Sequence, residues 1–143
     1  MDDLQKLERD LKRMAKFPTT ILTGVVKKAA NPILRDAKAN APMKSGALKE
    51  AMTLRLEKSK TKGKKVYQIT YSASSNEKLV KTSKDGKRSY YPASQEYGFI
   101  TRSGTKVAGL RFMRNAADKG APQFERDVIN GMMSKIEKAW RGK

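Results

Sequence analysis

The chain has 143 residues, a length that suits one domain with its own hydrophobic core. It contains no cysteine and no histidine, so its composition excludes disulfides, thiol nucleophiles and sites that depend on an imidazole base or ligand. Its 32 lysine and arginine residues against 14 acidic residues give a net charge of +18, which favours polyanionic partners such as nucleic acid or acidic protein surfaces. No apolar run approaches the roughly 20 residues of a membrane span, so we expect no membrane partner.

Two amphipathic helices are predicted at the start of the chain. The first occupies residues 1–18, and Phe17-Pro18 is expected to end it. A second apolar stripe predicts a longer helix from about Thr20 to Asn40, which Pro32 should kink or divide. The apolar positions of the first helix recur every three or four residues and are Leu4, Leu7, Leu11 and Met14.

Two β-hairpins are predicted in the middle of the chain. Apolar and polar residues alternate over 52–57 and again over 67–71, a pattern typical of half-buried strands. Residues 58–65 lie between these strands and carry five lysines, so we expect a projecting hairpin with a basic tip. A second projecting basic hairpin is predicted over residues 78–91, where Asp85-Gly86 favours a type I′ turn.

The C-terminal third is predicted to alternate between helices and loops. A short helix or turn should end at Gly98, followed by a glycine-rich polar loop over residues 101–109. A short helix to about Lys119 is expected to break at Gly120-Ala121-Pro122, before a last helix over about 122–140. That last helix carries an apolar stripe that we predict to be buried, made of Phe124, Val128, Met132, Ile136 and Trp140.

These elements predict a single α+β domain over residues 1–143, in which a small antiparallel sheet is packed by a long N-terminal helix and a C-terminal helix. The sequence contains no pattern of catalytic, metal-ligating or cofactor-binding residues, so we predict no enzyme and no cofactor. The rival interpretation is an enzyme, such as a lysine-dependent nuclease or a lysozyme-like factor. It would require converging acidic side chains or a bound metal.

The basic residues of the two predicted hairpins are the candidates for contact with DNA or with a partner protein. They are Lys58, Lys60, Lys62, Lys64, Lys65, Lys84, Lys87 and Arg88. The alternative is that lysines on exposed strand edges only prevent aggregation. Because lysine greatly outnumbers arginine, any contact with nucleic acid should be independent of base sequence. The five tyrosines offer either base stacking or, more commonly, core and interface packing.

Three short segments follow one another in an informative order. They are Ala41-Pro42-Met43-Lys44-Ser45-Gly46-Ala47-Leu48, Tyr91-Pro92-Ala93-Ser94-Gln95-Glu96-Tyr97-Gly98-Phe99 and Arg111-Phe112-Met113-Arg114-Asn115-Ala116-Ala117. Together they resemble the tail-completion or head–tail joining (neck) family of lambdoid siphophages and related prophages. The positions that match the family motifs, for which the resemblance implies structural roles, are Pro42, Ser45, Gly46, Leu48, Tyr91, Glu96, Gly98, Phe112 and Arg114.

The resemblance implies a structural virion protein, made in the cytoplasm of a host bacterium, that forms a ring of six copies. Such a ring completes the tail and joins it to the head connector or neck, and genomic DNA passes through its lumen without sequence-specific contact. Partners would be further copies of the chain, the tail tube and the neck proteins. A neck adaptor rather than a tail terminator remains an alternative position, and a sequence-independent basic DNA-binding protein is the alternative function.

Overall fold

Two long helices dominate the chain in a computed structural model that describes residues 2–42, 46–61 and 64–141. Helix α1 covers Asp2–Asn40 and helix α5 covers Phe112–Arg141. The predicted ends at Phe17-Pro18 and at Gly120-Ala121-Pro122 are therefore wrong, and so is the division into an N-terminal helix of residues 1–18. A proline removes only one backbone hydrogen bond from a helix, and packing on both sides of it can keep the helix continuous.

Helices α1 and α5 pack against each other in antiparallel directions. A Cβ atom at Gly120 would lie 2.5 Å from Cγ1 of Ile33, and one at Gly131 would lie 2.7 Å from Cγ1 of Val25. Asp36 and Lys119 also form an ion pair across the two helices, with 3.8 Å between Oδ1 and Nζ. Gly120 and Gly131 thus leave space for side chains of α1, and the resulting contacts offset the low helix propensity of glycine.

Three antiparallel hairpins provide all the strands in the described residues. Strands β1 (Met52–Leu56) and β2 (Tyr67–Tyr71) pair in the first hairpin, which confirms that prediction. Strands β3 (Val80–Thr82) and β4 (Arg88–Tyr90) form the second predicted hairpin. Strands β5 (Gly98–Ile100) and β6 (Lys106–Ala108) form a third. The α+β class is confirmed, with the sheet divided into three two-stranded pieces.

The second and third hairpins close with the same kind of turn. Gly86 N–H donates to Ser83 O at 3.0 Å, and Gly104 N–H donates to Thr101 O at 3.0 Å. Both glycines have positive φ values, 75° and 82°. This is a type I turn followed by a left-handed residue. The predicted type I′ turn at Asp85-Gly86 is wrong because Asp85 does not have a positive φ. The predicted polar loop over 101–109 is also wrong, since residues 106–108 form a strand that pairs with residues 98–100.

Short helical segments connect these elements. They are α2 (Ala47–Ala51), a 3₁₀ turn (Ala73–Ser75), α3 (Asn76–Leu79) and α4 (Tyr91–Tyr97). Helix α4 confirms the predicted short helix, and Gly98 ends it with φ of 85°. None of the helices in the described part of the chain is both long enough and apolar enough to cross a membrane.

The core lies where the hairpins meet the adjoining ends of α1 and α5. Its buried members are Ala37, Ala41, Leu48, Ala51, Met52, Leu79, Phe112 and Ala116. The other end of α5 is much more open, because Ile129, Met133 and Ile136 are 55%, 57% and 48% exposed. The prediction of a fully buried stripe on this helix is therefore wrong at Ile136, and Phe124, Val128 and Met132 are only half-buried. Trp140 lies outside the residues whose side chains are described.

Candidate functional site

The junction between α4 and α5 is built around one buried carboxylate. Glu96 Oε2 accepts the backbone N–H of Met113 at 3.0 Å, and Oε1 accepts the N–H of Arg114 at 3.1 Å. These two amides belong to the first turn of α5 and have no partner within the helix. Glu96 is 6% exposed, so its negative charge lies almost out of water at the positive end of the helix dipole. It therefore acts as a helix cap supplied from another element.

The chain reverses direction tightly at the same junction. Leu110 N–H donates to Gln95 O at 2.8 Å, and Arg111 N–H donates to Glu96 O at 3.1 Å. A Cβ atom on Gly98 would lie 2.3 Å from Val107 O, and one on Gly109 would lie 2.2 Å from Glu96 O. Only glycine fits at these two positions, because the two backbone segments cross in contact. Gly98 thus has a steric role besides ending α4.

The three motif segments meet in space, although up to about 60 residues separate them along the chain. Leu48 and Phe112 are both buried in the core cluster, together with Ala41 beside Pro42. Gly46 starts α2 with φ of 65°, and its carbonyl accepts the N–H of Glu50 at 3.0 Å. These motif positions thus lie in the core and at the start of α2. Ser45, another motif position, lies outside the described residues.

A group of tyrosines connects the bases of the hairpins to this core. The Tyr71 and Tyr90 rings meet edge to face with centroids 6.2 Å apart. Tyr71 Oη donates to Sδ of Met113 at 3.2 Å. Burial raises the pKa of Tyr71 strongly, and the nearby Glu96 carboxylate adds to the rise. Lys81 Nζ lies 4.7 Å from the ring centroid of Tyr91, a cation–π contact. These four tyrosine and lysine side chains are therefore packing groups.

The basic residues of the first hairpin lie on a loop beside α1. Tyr67 Oη donates to the carbonyl of Thr23 at 3.3 Å, so the hairpin runs along α1 towards its N-terminal half. Lys58, Lys60 and Lys64 are exposed, and Lys65 is half-buried. Lys62 lies outside the described residues. The structure therefore places the described lysines of this cluster where a large polyanion or an acidic surface can reach them.

The basic residues of the second hairpin lie at its tip, next to the third hairpin. Lys84, Lys87 and Arg88 are all exposed. Arg102, in the turn of the third hairpin, reaches Asp85 with 3.4 Å between Nη1 and Oδ2. Both side chains are largely in water, so this ion pair stabilises the arrangement only slightly. It nevertheless shows that the second and third hairpin turns lie side by side.

The third hairpin is a surface feature that the sequence did not predict. Its exposed cations are Arg102 and Lys106, Arg111 and Arg114 are exposed at the adjoining start of α5, and no acidic residue lies between positions 97 and 117 in the sequence. Large apolar side chains are exposed among them, including Tyr97 at 80% and Ile100 at 71%. Each strand of this hairpin has only three residues, which is too short for an alternation of apolar and polar residues to indicate a strand.

No catalytic geometry is found among the residues whose side chains are described, which are 5, 21–42, 46–61, 64–139 and 141. These residues contain no group of three or more acidic side chains that could hold a metal ion. Their buried side-chain nitrogen and oxygen atoms all have hydrogen-bond partners. The arrangement can therefore join surfaces and carry positive charge, and we find in the described residues no constellation suited to moving protons.

Comparison with protein families identifies the class of protein that this fold represents. Residues 2–98 match the HK97-gp10-like family, described as "Bacteriophage HK97-gp10, putative tail-component". The chain belongs to this family of phage tail components. The match includes the first two motif segments, down to Glu96 and Gly98, and ends before the third segment at Arg111. No curated protein and no solved structure matches the chain.

Proposed function

We propose that this protein completes the phage tail and joins it to the head, by forming a closed ring of identical subunits through which the genomic DNA passes. The single observation that carries the proposal is the family match over residues 2–98, which identifies a tail component. A structural component of this kind works by shape and self-association. The chain is suited to such a role, since its described side chains serve packing, capping and surface charge.

The distribution of charge supports a position next to DNA. The exposed lysines of the first hairpin and the tip of the second hairpin have no ion pair with an acidic residue among the described side chains, apart from the Asp85–Arg102 contact beside them. A net charge of +18 on 143 residues repels further copies of the chain unless a polyanion or acidic surface compensates it. DNA in the lumen of a ring supplies that compensation without base recognition.

Deletion of the gene in its phage or prophage tests the proposal directly. We expect negative-stain electron micrographs of the deletion strain to show filled heads and separate tails, and a plasmid copy of the gene to restore joined particles. A ring of this protein should be visible at the head-proximal end of wild-type tails after labelling of a C-terminal tag. Joined, infectious particles in the deletion strain would refute a joining role.

The charge part of the proposal has its own test. A variant with serine at Lys58, Lys60, Lys62, Lys64 and Lys65 should fold normally but give fewer particles that retain DNA. The matched control replaces five exposed cations elsewhere, at Lys27, Lys28, Arg126, Lys135 and Lys138. Equal infectious titres for wild type and the serine variant would show that the basic loop is dispensable.

Sequence-independent DNA binding by the free protein is a second candidate function, favoured by the exposed lysines of the two hairpins. It predicts a gel shift of duplex DNA by the isolated chain that weakens steeply with salt. Each phosphate that the protein neutralises contributes a slope of about −0.9 to log K plotted against log salt concentration. If the protein contacts five phosphates, a fourfold rise in salt should therefore lower its affinity for DNA roughly several hundredfold. Absence of a shift at low salt would eliminate this candidate.

A further inference from the structure

We propose that the third hairpin is the receptor surface for the N-terminal segment of α1 from a neighbouring copy of the chain. The hairpin surface consists of β5, β6 and the flanking residues Tyr97 and Leu110. The inference rests on the proposed ring, because it names the contact by which one subunit binds the next. A head-to-tail contact between two different surfaces is the type that closes a ring of identical subunits.

The third hairpin presents apolar side chains that no described element covers. Tyr97, Ile100 and Leu110 are 80%, 71% and 55% exposed. Phe99 pairs directly with Val107 and therefore shares one face of the hairpin, whereas Ile100 lies on the opposite face. Phe99 and Val107 are also exposed, at 45% and 38%, so both faces offer apolar surface. Clustered exposure of this kind marks an interaction site.

The charged residues around this hairpin surface determine which kind of partner it can bind. Arg102, Lys106 and Arg111 are exposed there, and positions 97–117 contain no acidic residue. Asp85 of the second hairpin pairs with Arg102, which leaves Lys106 and Arg111 without an ion pair among the described side chains. The partner must therefore combine an apolar stripe with negative charge, because a cationic partner would be repelled.

One segment of the chain itself has both properties. The first ten residues carry four acidic side chains against two basic ones, and no other ten-residue stretch of the chain is as acidic. The acidic residues are Asp2, Asp3, Glu8 and Asp10. Leu4, Leu7 and Leu11 recur at helical spacing in the same segment, which is helical in the structure. An acidic amphipathic helix is thus available in a chain of net charge +18.

The lengths of the helices place this segment beyond the end of α5. Val25 lies against Gly131, and 23 residues of α1 precede Val25 whereas ten residues of α5 follow Gly131. Because the helices are antiparallel, α1 extends past the end of α5 by about 13 residues, or roughly 20 Å at 1.5 Å per residue. The third hairpin lies at the other end of the helix pair, beside the start of α5. The two surfaces are therefore far apart in one copy and can meet only between copies.

Disulfide trapping tests the contact cleanly, because the chain has no cysteine of its own. Full-length Leu7→Cys and Ile100→Cys proteins, the second carrying a mass tag, are mixed, allowed to assemble and oxidised. We expect the mixed disulfide to form in preference to either homodimer. The matched controls replace Leu7→Cys by Lys27→Cys, on exposed α1 surface, and Ile100→Cys by Ile136→Cys, on exposed α5 surface. Neither control pair should cross-link above background.

Native mass spectrometry of single variants gives an independent readout. Ile100→Asp should weaken assembly about tenfold or more, because it places a charge in an apolar contact, whereas Ile136→Asp should leave it unchanged. Circular dichroism confirms that both variants are folded.

The outcomes separate this inference from the proposed function. If rings form but Leu7→Cys and Ile100→Cys do not cross-link, or if only Ile136→Asp disrupts assembly, the inference is overturned and the ring stands. A chain that stays at its monomer mass of 16.0 kDa at all concentrations would overturn both.

Discussion

The α4–α5 junction and the loop between β1 and β2 use charge in opposite ways. At the junction, Glu96 is buried and both of its oxygens accept backbone amides. In the loop, Lys58, Lys60 and Lys64 are exposed and form no ion pair with an acidic residue whose side chain is described. The charge of Glu96 is compensated inside the chain, whereas the positive charge of the loop is left on the surface. Substitutions of buried groups at and around the junction should therefore cost stability, whereas substitutions at exposed positions should not. Four experiments, each with an exposed control, test this difference.

The largest effect on stability is expected in the core below the junction. Phe112 is 2% exposed, so Phe112→Ala should lower the free energy of unfolding by about 3–5 kcal/mol. Phe99→Ala is the matched control, because Phe99 is 45% exposed and its truncation should cost far less. Urea denaturation followed by circular dichroism measures both values. Equal losses for the two variants would mean that the hairpin packs as tightly as the core.

The buried cap should come next in size. Glu96→Ala removes the acceptor of two amides in the first turn of α5, and we expect a loss of about 2–4 kcal/mol because both donors stay away from water. Glu125→Ala, at an exposed position of the same helix, is the control and should change the free energy of unfolding little. Hydrogen exchange at Met113 and Arg114 gives a local readout. Unchanged protection at those amides would argue against the cap.

Alanine substitution at two glycines should change the free energy of unfolding in opposite directions. Gly109→Ala places a Cβ atom against Glu96 O and should cost about 1–3 kcal/mol through backbone displacement. In Gly24→Ala the new Cβ atom has no neighbour within 4 Å, because Gly24 is at an exposed position of α1. This substitution should raise the free energy of unfolding by about 0.5–1 kcal/mol. Thermal melting of both variants checks the pair, and a stable Gly109→Ala protein would disprove the close crossing at the junction.

The smallest effect concerns alkaline pH. Because burial raises the pKa of Tyr71, the folded state favours the neutral phenol, and this contribution is fully present below the unfolded value of about 10 and lost as the pH rises above it. The free energy of unfolding of wild type should thus fall more steeply above pH 10 than that of Tyr71→Phe. Tyr97→Phe, at a side chain that is 80% exposed, should behave like wild type. Parallel curves for all three proteins would contradict the burial argument.

Local patterns predicted the elements that depend on local rules. Alternation identified β1 and β2, and Gly98 marked the end of α4. Helix breaks at Phe17-Pro18 and Gly120-Ala121-Pro122 were predicted wrongly, because the penalties for proline and glycine are local whereas the contacts of Gly120 with Ile33 are tertiary. A sequence pattern carries no information about which distant side chain will fill the space above a glycine.

The candidate site was predictable where it depends on local sequence patterns and not where it depends on tertiary contacts. The basic residues of the first two hairpins could be named, because runs of lysine around a turn are visible in sequence. The resemblance selected Glu96, but its role as a cap for α5 depends on a fold that brings residues 96 and 113 together. The third hairpin was missed because strands of three residues fall below the length at which alternation is informative.

Gly120 and Gly131 have a consequence for the dimensions of the whole subunit. Each admits a side chain of α1, so sliding one helix along the other would drive Ile33 or Val25 into bulkier neighbours. The longitudinal register is thereby fixed, and the 39 residues of α1 span a set length of about 58 Å. The N-terminal end of α1 is therefore held at a fixed distance from the hairpins, and so are any molecules bound at these two places. Lengthening α1 by one turn beyond the paired region would change that spacing by about 5 Å without altering the core.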